Sequence, residues 1–166
     1  MVKYFSIFLL LNLIIAACTT KKNETSKGSI KAGNLQVYHE QRGSGDAILL
    51  LHAGLQNHTM WEEQVKSLSE IFSVITIDLP FHGNTTGIDT NILAKDVIKT
   101  VLDSLHLQKV SIAGLSMGAS VAQDFIIAYP ERINKTILVS AGINGYEKNF
   151  PSILQAWAGT PGLQMH

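Results

Sequence analysis

Gly114-Leu115-Ser116-Met117-Gly118 lies between a short β-rich run, Val110-Ser111-Ile112-Ala113, and an apolar-periodic run over 117–129. A serine flanked at both second neighbours by glycine, between a strand and a helix, implies a very sharp backbone turn. The two glycines are expected to permit that turn and to leave Ser116 at its tip with the hydroxyl exposed. The helix that follows directs its N-terminal N–H groups and the positive end of its dipole at the same spot. The pattern therefore presents a nucleophile beside a place where negative charge can develop. A serine used only as a helix N-cap has no need of glycine on both sides.

Working outward, 35–40 alternates apolar and polar residues, as a strand with one wet face should. The cluster Arg42-Gly43-Ser44-Gly45-Asp46 reads as a turn. Residues 47–51, 74–79, 109–113 and 135–140 are apolar runs of strand length, the pattern of strands covered on both faces. Between them, 59–72 places Trp61, Val65, Leu68 and Phe72 on one helical face, with Glu62 and Glu63 in the first turn. Residues 91–107 repeat Leu93, Val97, Val101 and Leu105, with Asp89 or Thr90 as candidate cap. The helix after Ser116 shows Val121, Phe125 and Tyr129 on one face and stops at Pro130. Strands alternating with helices of this length predict an α/β fold: a mostly parallel twisted sheet with helices on both faces.

The chain has 166 residues, 46% of them apolar, and a formal net charge of zero. One domain with an ample core is expected, and the lack of any basic block argues against nucleic acid as a partner. Lys3 and the apolar stretch 5–15 read as an export signal, too short for a membrane span of roughly 20 residues. Ile15-Ala16-Ala17-Cys18 resembles the lipobox of bacterial lipoproteins, which implies lipidation of Cys18 and a membrane-anchored, exported domain. An ordinary secretory signal with an incidental cysteine is the alternative. The expected organisation is a signal peptide at 1–17, a lipidated polar tether at 18–28, a core at 29–145, and the start of a lid or cap at 146–166. Cys18 is the only cysteine, and no two histidines stand at helical ligand spacing. Neither a metal nor any other cofactor is expected.

Taken together, these residues resemble the α/β-hydrolase superfamily from about residue 31 to about residue 142. Leu49-Leu50-Leu51-His52-Ala53-Gly54 resembles its strand-end His-Gly motif. Asp78-Leu79-Pro80-Phe81-His82-Gly83-Asn84-Thr85 resembles its Asp-x-Pro-Gly-His-Gly-x-Ser turn. Residues 114–118 resemble its nucleophile elbow, and Tyr129-Pro130-Glu131-Arg132-Ile133 its approach to the next strand. The resemblance implies Ser116 as nucleophile and backbone N–H groups of Met117 and Gly54 as oxyanion donors, with Leu55 in reserve. Serine rather than aspartate at the elbow points to acyl transfer on a small-molecule carboxylic ester or related substrate. Leu55, Met60, Trp61, Phe81, Leu115 and Met117 are candidates to line an apolar pocket. His52 is expected to support the oxyanion loop, and Asp78 and His82 to stabilise their turn. Phe81 stands where the family has glycine, so a different backbone is expected there. His58 is expected at the pocket mouth or as a solvated loop residue, and His39 and His106 as exposed.

The family's order of serine, acid and histidine leaves nothing to carry over beyond residue 140. Glu147 is the only acid there and the terminal His166 the only histidine. The chain is therefore expected to represent the N-terminal half to two-thirds of such a domain, as a fragment. Its last strand would be an apolar edge, and its catalysis alone very weak. A serine hydrolase seen in part is one reading; a non-catalytic exported binding protein that keeps the fold is the other.

Overall fold

The computed structural model describes residues 25–142. The expected signal peptide, Cys18 with most of its tether, the short helix read at 153–158, Glu147 and His166 lie outside the described residues.

Six strands form one sheet: β1 (Thr25–Ala32), β2 (Leu35–Arg42), β3 (Ala47–Leu51), β4 (Ser73–Ile77), β5 (Val110–Leu115) and β6 (Ile133–Val139). Their order across the sheet is β1-β2-β4-β3-β5-β6. β1 with β2 and β2 with β4 run antiparallel; β4, β3, β5 and β6 are mutually parallel. The helices are α1 (Glu62–Leu68), preceded by a 3₁₀ turn over His58–Trp61, then α2 (Ala94–Ser104) and α3 (Met117–Ala128). The chain steps from β3 to β4 in one direction, then back across β3 to β5 and on to β6 in the other. Right-handed crossovers therefore set α1 on one face and α2 and α3 together on the opposite face. The expected mostly parallel sheet between helical layers is the observed architecture.

Burial follows the apolar runs. Every residue of β4 is buried, as are Leu49, Leu50 and Leu51 of β3. Val97, Ile98, Val101 and Leu102 of α2 and Ala122 and Phe125 of α3 complete the core beneath them. β6 has the apolar run of a covered strand but lies, as expected of the last strand, at an edge. It is the outer strand among the described residues, and Ile137, Leu138 and Val139 are exposed.

Several boundaries move. The helix read at 59–72 begins as a 3₁₀ turn, because the Asn57 side chain accepts the Thr59 N–H at 2.9 Å and caps there. It ends by Leu68. The helix read at 91–107 starts at Ala94 with Leu93 at its cap and no side-chain cap bond. Asp89 serves the loop instead: its carboxylate accepts the N–H groups of Asn34, Asn91 and Ile92.

β1 was not legible in the sequence, and it takes residues 25–28 out of the expected tether. Its side chains are mostly exposed, so it carries no apolar alternation. The signal that marks it is Gly33-Asn34, a two-residue hairpin loop in which Ala32 faces Leu35 and Gly33 takes φ 59°. His39, expected to be exposed, is only 8% accessible because β1 covers it.

Two glycines hold the layers together. A Cβ on Gly118 would lie 2.3 Å from the Leu51 carbonyl oxygen and 2.6 Å from that of His52. One on Gly114 would lie 2.6 Å from the backbone of Gly118 and Ala119. Gly118→Ala is therefore expected to cost about 3 kcal/mol or more in urea unfolding, since rigid backbone must move. Gly28→Ala, whose Cβ would meet only the His39 ring at 3.6 Å, is the control and should change stability by less than about 1 kcal/mol.

Candidate active site

Ser116 is exposed and stands between β5 and α3 with φ 53° and ψ −114°. An L residue held there stores about 1–3 kcal/mol of strain. It occupies the N-cap position of α3, yet its side chain makes no capping bond. The backbone is pinned on both sides: the Ser116 N–H donates to Val139 O at 2.9 Å, and its carbonyl accepts the Ser120 N–H at 3.0 Å. The sharp reversal thus belongs to Ser116 itself. This corrects the expectation that the glycines provide it: neither Gly114 nor Gly118 has positive φ, and both are required by close approach.

The loop after β3 runs alongside. Leu51 pairs with Gly114 in register, so the residues after each come to lie next to one another. Gln56 N–H donates to Ala53 O at 3.2 Å, closing a turn whose third residue, Leu55, has φ 61° and is 97% exposed. A Cβ on Gly54 would meet the Met117 side chain at 3.8 Å, an ordinary contact. Gly54 and Met117 are therefore neighbours across the crevice between β3 and β5, where the direction of chain crossover switches. The Met117 N–H opens α3 and has no intrahelical acceptor.

His52 is fully buried and both ring nitrogens are engaged. Nε2 accepts the Leu79 N–H at 3.0 Å, which forces the proton onto Nδ1, and Nδ1–H donates to Ala53 O at 2.8 Å. Burial pulls its pKa below the ordinary value, against the favourable Ala53 carbonyl. A neutral imidazole with both nitrogens committed ties the β3 loop to the end of β4.

Asp78, also fully buried, is the centre of the next turn. Its Oδ2 accepts the Asn84 N–H at 2.7 Å, and Gly83 is packed so tightly against the carboxylate that a Cβ has no room. The backbone carbonyl of Asp78 accepts the Thr85 hydroxyl. Its histidine partner, however, is not His82. His82 Nδ1–H donates to Pro80 O at 2.9 Å, with its ring 5.1 Å from that of His52. The partner is His58, whose backbone N–H donates to Asp78 Oδ1 at 2.7 Å and whose Nδ1–H reaches both carboxylate oxygens at 2.9 and 3.0 Å. The His58 side chain is only 12% exposed, so a solvated loop position does not describe it, and it lines a 280 Å³ cleft with Glu40 and Arg42. Sequence reading missed this role, because no spacing pattern links residues 58 and 78.

Phe81 keeps a glycine-like backbone, contrary to expectation. His82 N–H donates to Leu79 O at 3.0 Å, and Pro80 and Phe81 fill the two central positions of that turn, Phe81 with φ 68°. This is the arrangement in which glycine ordinarily takes the third place. Its ring is 68% exposed. Leu115 and Trp61 are half-buried, and the Trp61 indole N–H is buried without a partner. Two clefts among the described residues, of 280 and 400 Å³, are lined by other residues. Among the described residues, no group of three His, Cys, Asp or Glu side chains could hold a metal.

Burial depresses His39 as well as His52. An unfolded chain binds protons at these imidazoles below their ordinary 6.5, whereas the folded chain refuses them. Stability contributed by both groups is therefore complete above that pH and is lost as the pH falls through it. Urea midpoints should be level above neutrality and decline below about pH 6.5. In the folded state, nitrogen-15 spectra should show His52 neutral and Nδ1-protonated to a lower pH than a free imidazole. A His52 that titrates at or above the free imidazole would contradict the assignment.

Residues 46–162 match the family model described as the alpha/beta hydrolase fold. An uncharacterized protein of Mycobacterium tuberculosis is 37% identical over 103 residues, which are 60% of this chain and 30% of that one. A pimeloyl-[acyl-carrier protein] methyl ester esterase of Nitrosospira multiformis is 31% identical over 114 residues, 65% of this chain and 43% of the relative. The crystal structure of a CIB-like hydrolase from Thermoplasma acidophilum superposes with a TM-score of 0.67 at 20% identity, covering 76% of this chain and 67% of that one. The chain thus spans less than half the length of these two curated relatives. With more than two thirds of its length matched by that model, this chain belongs to the α/β-hydrolase fold family.

Proposed function

We propose that Ser116 is the nucleophile of a serine hydrolase that acts on a carboxylic ester or related acyl substrate. The observation that carries this reading is the backbone of Ser116. A strained, exposed residue at a helix N-terminus whose hydroxyl forms no cap has no structural use that would repay its strain. The esterase named among the relatives supports the same class of chemistry.

In this reading Ser116 Oγ attacks the acyl carbon as a base removes its proton. The carbonyl electron pair becomes an oxyanion that accepts the N–H groups of Met117 and Gly54, with Leu55 as the alternative second donor. One such donor is worth about 2.7–4 kcal/mol in the transition state. Collapse expels the alcohol, which takes the proton, and water then releases the acid from the acyl-serine. His52 is unsuited to act as the base because both its nitrogens are occupied. The base and its orienting acid are assigned to the protein beyond the described residues. Leu55 and Phe81, held on the rim of the same strand ends, offer apolar surface to the hydrocarbon part of the ester.

We further propose that the N-terminal segment exports the protein and that Cys18 carries a lipid anchor to a bacterial envelope membrane. The support is the order of charged, apolar and small residues ahead of the single cysteine.

The full-length protein is expected to label with a fluorophosphonate probe, and Ser116→Ala to abolish labelling. Absence of labelling in the parent protein would favour the ligand-binding reading. Metabolic labelling with palmitate should be lost in Cys18→Ser; an unmodified Cys18 in the membrane fraction would refute the anchor.

A further inference from the structure

The loop that carries Gly54 and Leu55 is fastened at both ends to consecutive residues at the end of β4. At one end, His52 Nε2 accepts the N–H of Leu79. At the other, His58 donates its backbone N–H and its Nδ1–H to the carboxylate of Asp78. The outer edge of the His58 ring faces Glu40, with Nε2 3.6 Å from Oε1, and that oxygen accepts the Tyr38 hydroxyl at 2.6 Å. Tyr38 packs its ring 4.9 Å from that of His58. That bond to Glu40, with burial, pushes the Tyr38 phenol up to about 12, so it stays a donor throughout the working range.

We infer that His58, bonded to Asp78 through both its backbone and its ring, is a positioning residue that fixes the loop 53–57 and thereby the amide donors beside Ser116. The inference rests on the proposed role of Ser116. An imidazole is suited to this place because its Nδ1–H reaches both oxygens of the Asp78 carboxylate while the rest of the ring packs against Tyr38. The segment between the anchors contains a left-handed, solvent-exposed Leu55. Such a segment holds one geometry only if its ends are fixed. His58 also forms part of the wall of the 280 Å³ cleft, together with Glu40, Glu62, Thr59 and Arg42. Removing the ring therefore opens a hole that a small molecule can enter.

The test uses the full-length protein and a fluorophosphonate. His58→Ala should slow the limiting rate of Ser116 phosphonylation about 10- to 100-fold and leave the saturation constant unchanged. His58→Asn, whose amide nitrogen sits where Nδ1 was, should restore most of that rate. Free imidazole should rescue His58→Ala and leave the parent protein unaffected. Amide hydrogen exchange over 53–57 should quicken in His58→Ala, with 117–122 unaltered. Parental labelling in His58→Ala would overturn the inference. So would equal slowing in both variants without imidazole rescue, since that describes a general loss of packing. The exchange measurement separates the two ideas. An unreactive Ser116 with faster loop exchange in His58→Ala defeats the hydrolase reading and leaves the clamp standing; a reactive Ser116 with unaltered exchange defeats the clamp.

Discussion

The first turn of α3 lies directly on the carbonyl oxygens of Leu51 and His52, and the rest of the site depends on that contact. It exists only because residue 118 has no side chain. Two layers meeting backbone to backbone cannot slide by fractions of an ångström without collision, so the helix axis is fixed against β3. Gly114 does the same from the strand side. With both surfaces locked, the single residue that joins strand to helix at their junction must take an unfavourable conformation, and it is Ser116 that takes it. The core contributes the driving force for this arrangement. Burial of β3, β4 and the inner faces of α2 and α3 far outweighs a few kcal/mol stored at one residue.

Strain is not confined to Ser116. Leu55, Phe81, Ser116 and Ser140 all have positive φ, and each follows one of the four parallel strands β3 to β6 at its C-terminal end. Glycine would occupy any of these positions at lower cost. Side chains are kept instead, two apolar and two hydroxylic, along one edge of the sheet. In an open α/β sheet this is the edge where ligands sit, and the concentration of strained residues there agrees with a site rather than with a packing defect.

Buried polar groups secure that edge. His52 and Asp78 lie at 0% exposure, each with its hydrogen-bonding capacity met by loop backbone, so neither is left as an orphan in the core. Their partners come from a neighbouring strand end: His52 from β3 holds Leu79, and Asp78 from β4 holds His58. The two loops brace each other, and they lack the regular ladder bonds that would otherwise do so.

The sequence by itself determined the order and kind of most elements. Apolar runs and the helical repeats at Val97, Val101 and Phe125 are local patterns set by the period of the backbone, and they survive in any context that buries them. Gly114-Leu115-Ser116-Met117-Gly118 likewise marked its own turn. Strand β1 escaped because an exposed edge strand needs no alternation, and its hairpin was signalled only by Gly33-Asn34. Tertiary structure alone decided which histidine Asp78 would take, that the glycines serve close approach while serine takes the left-handed backbone, and that His39 is covered. The physical reason is common to all three. A hydrogen bond between residues 20 apart, or a contact between a helix turn and a strand end, depends on how layers stack, and no periodicity along the chain encodes the distance between two surfaces.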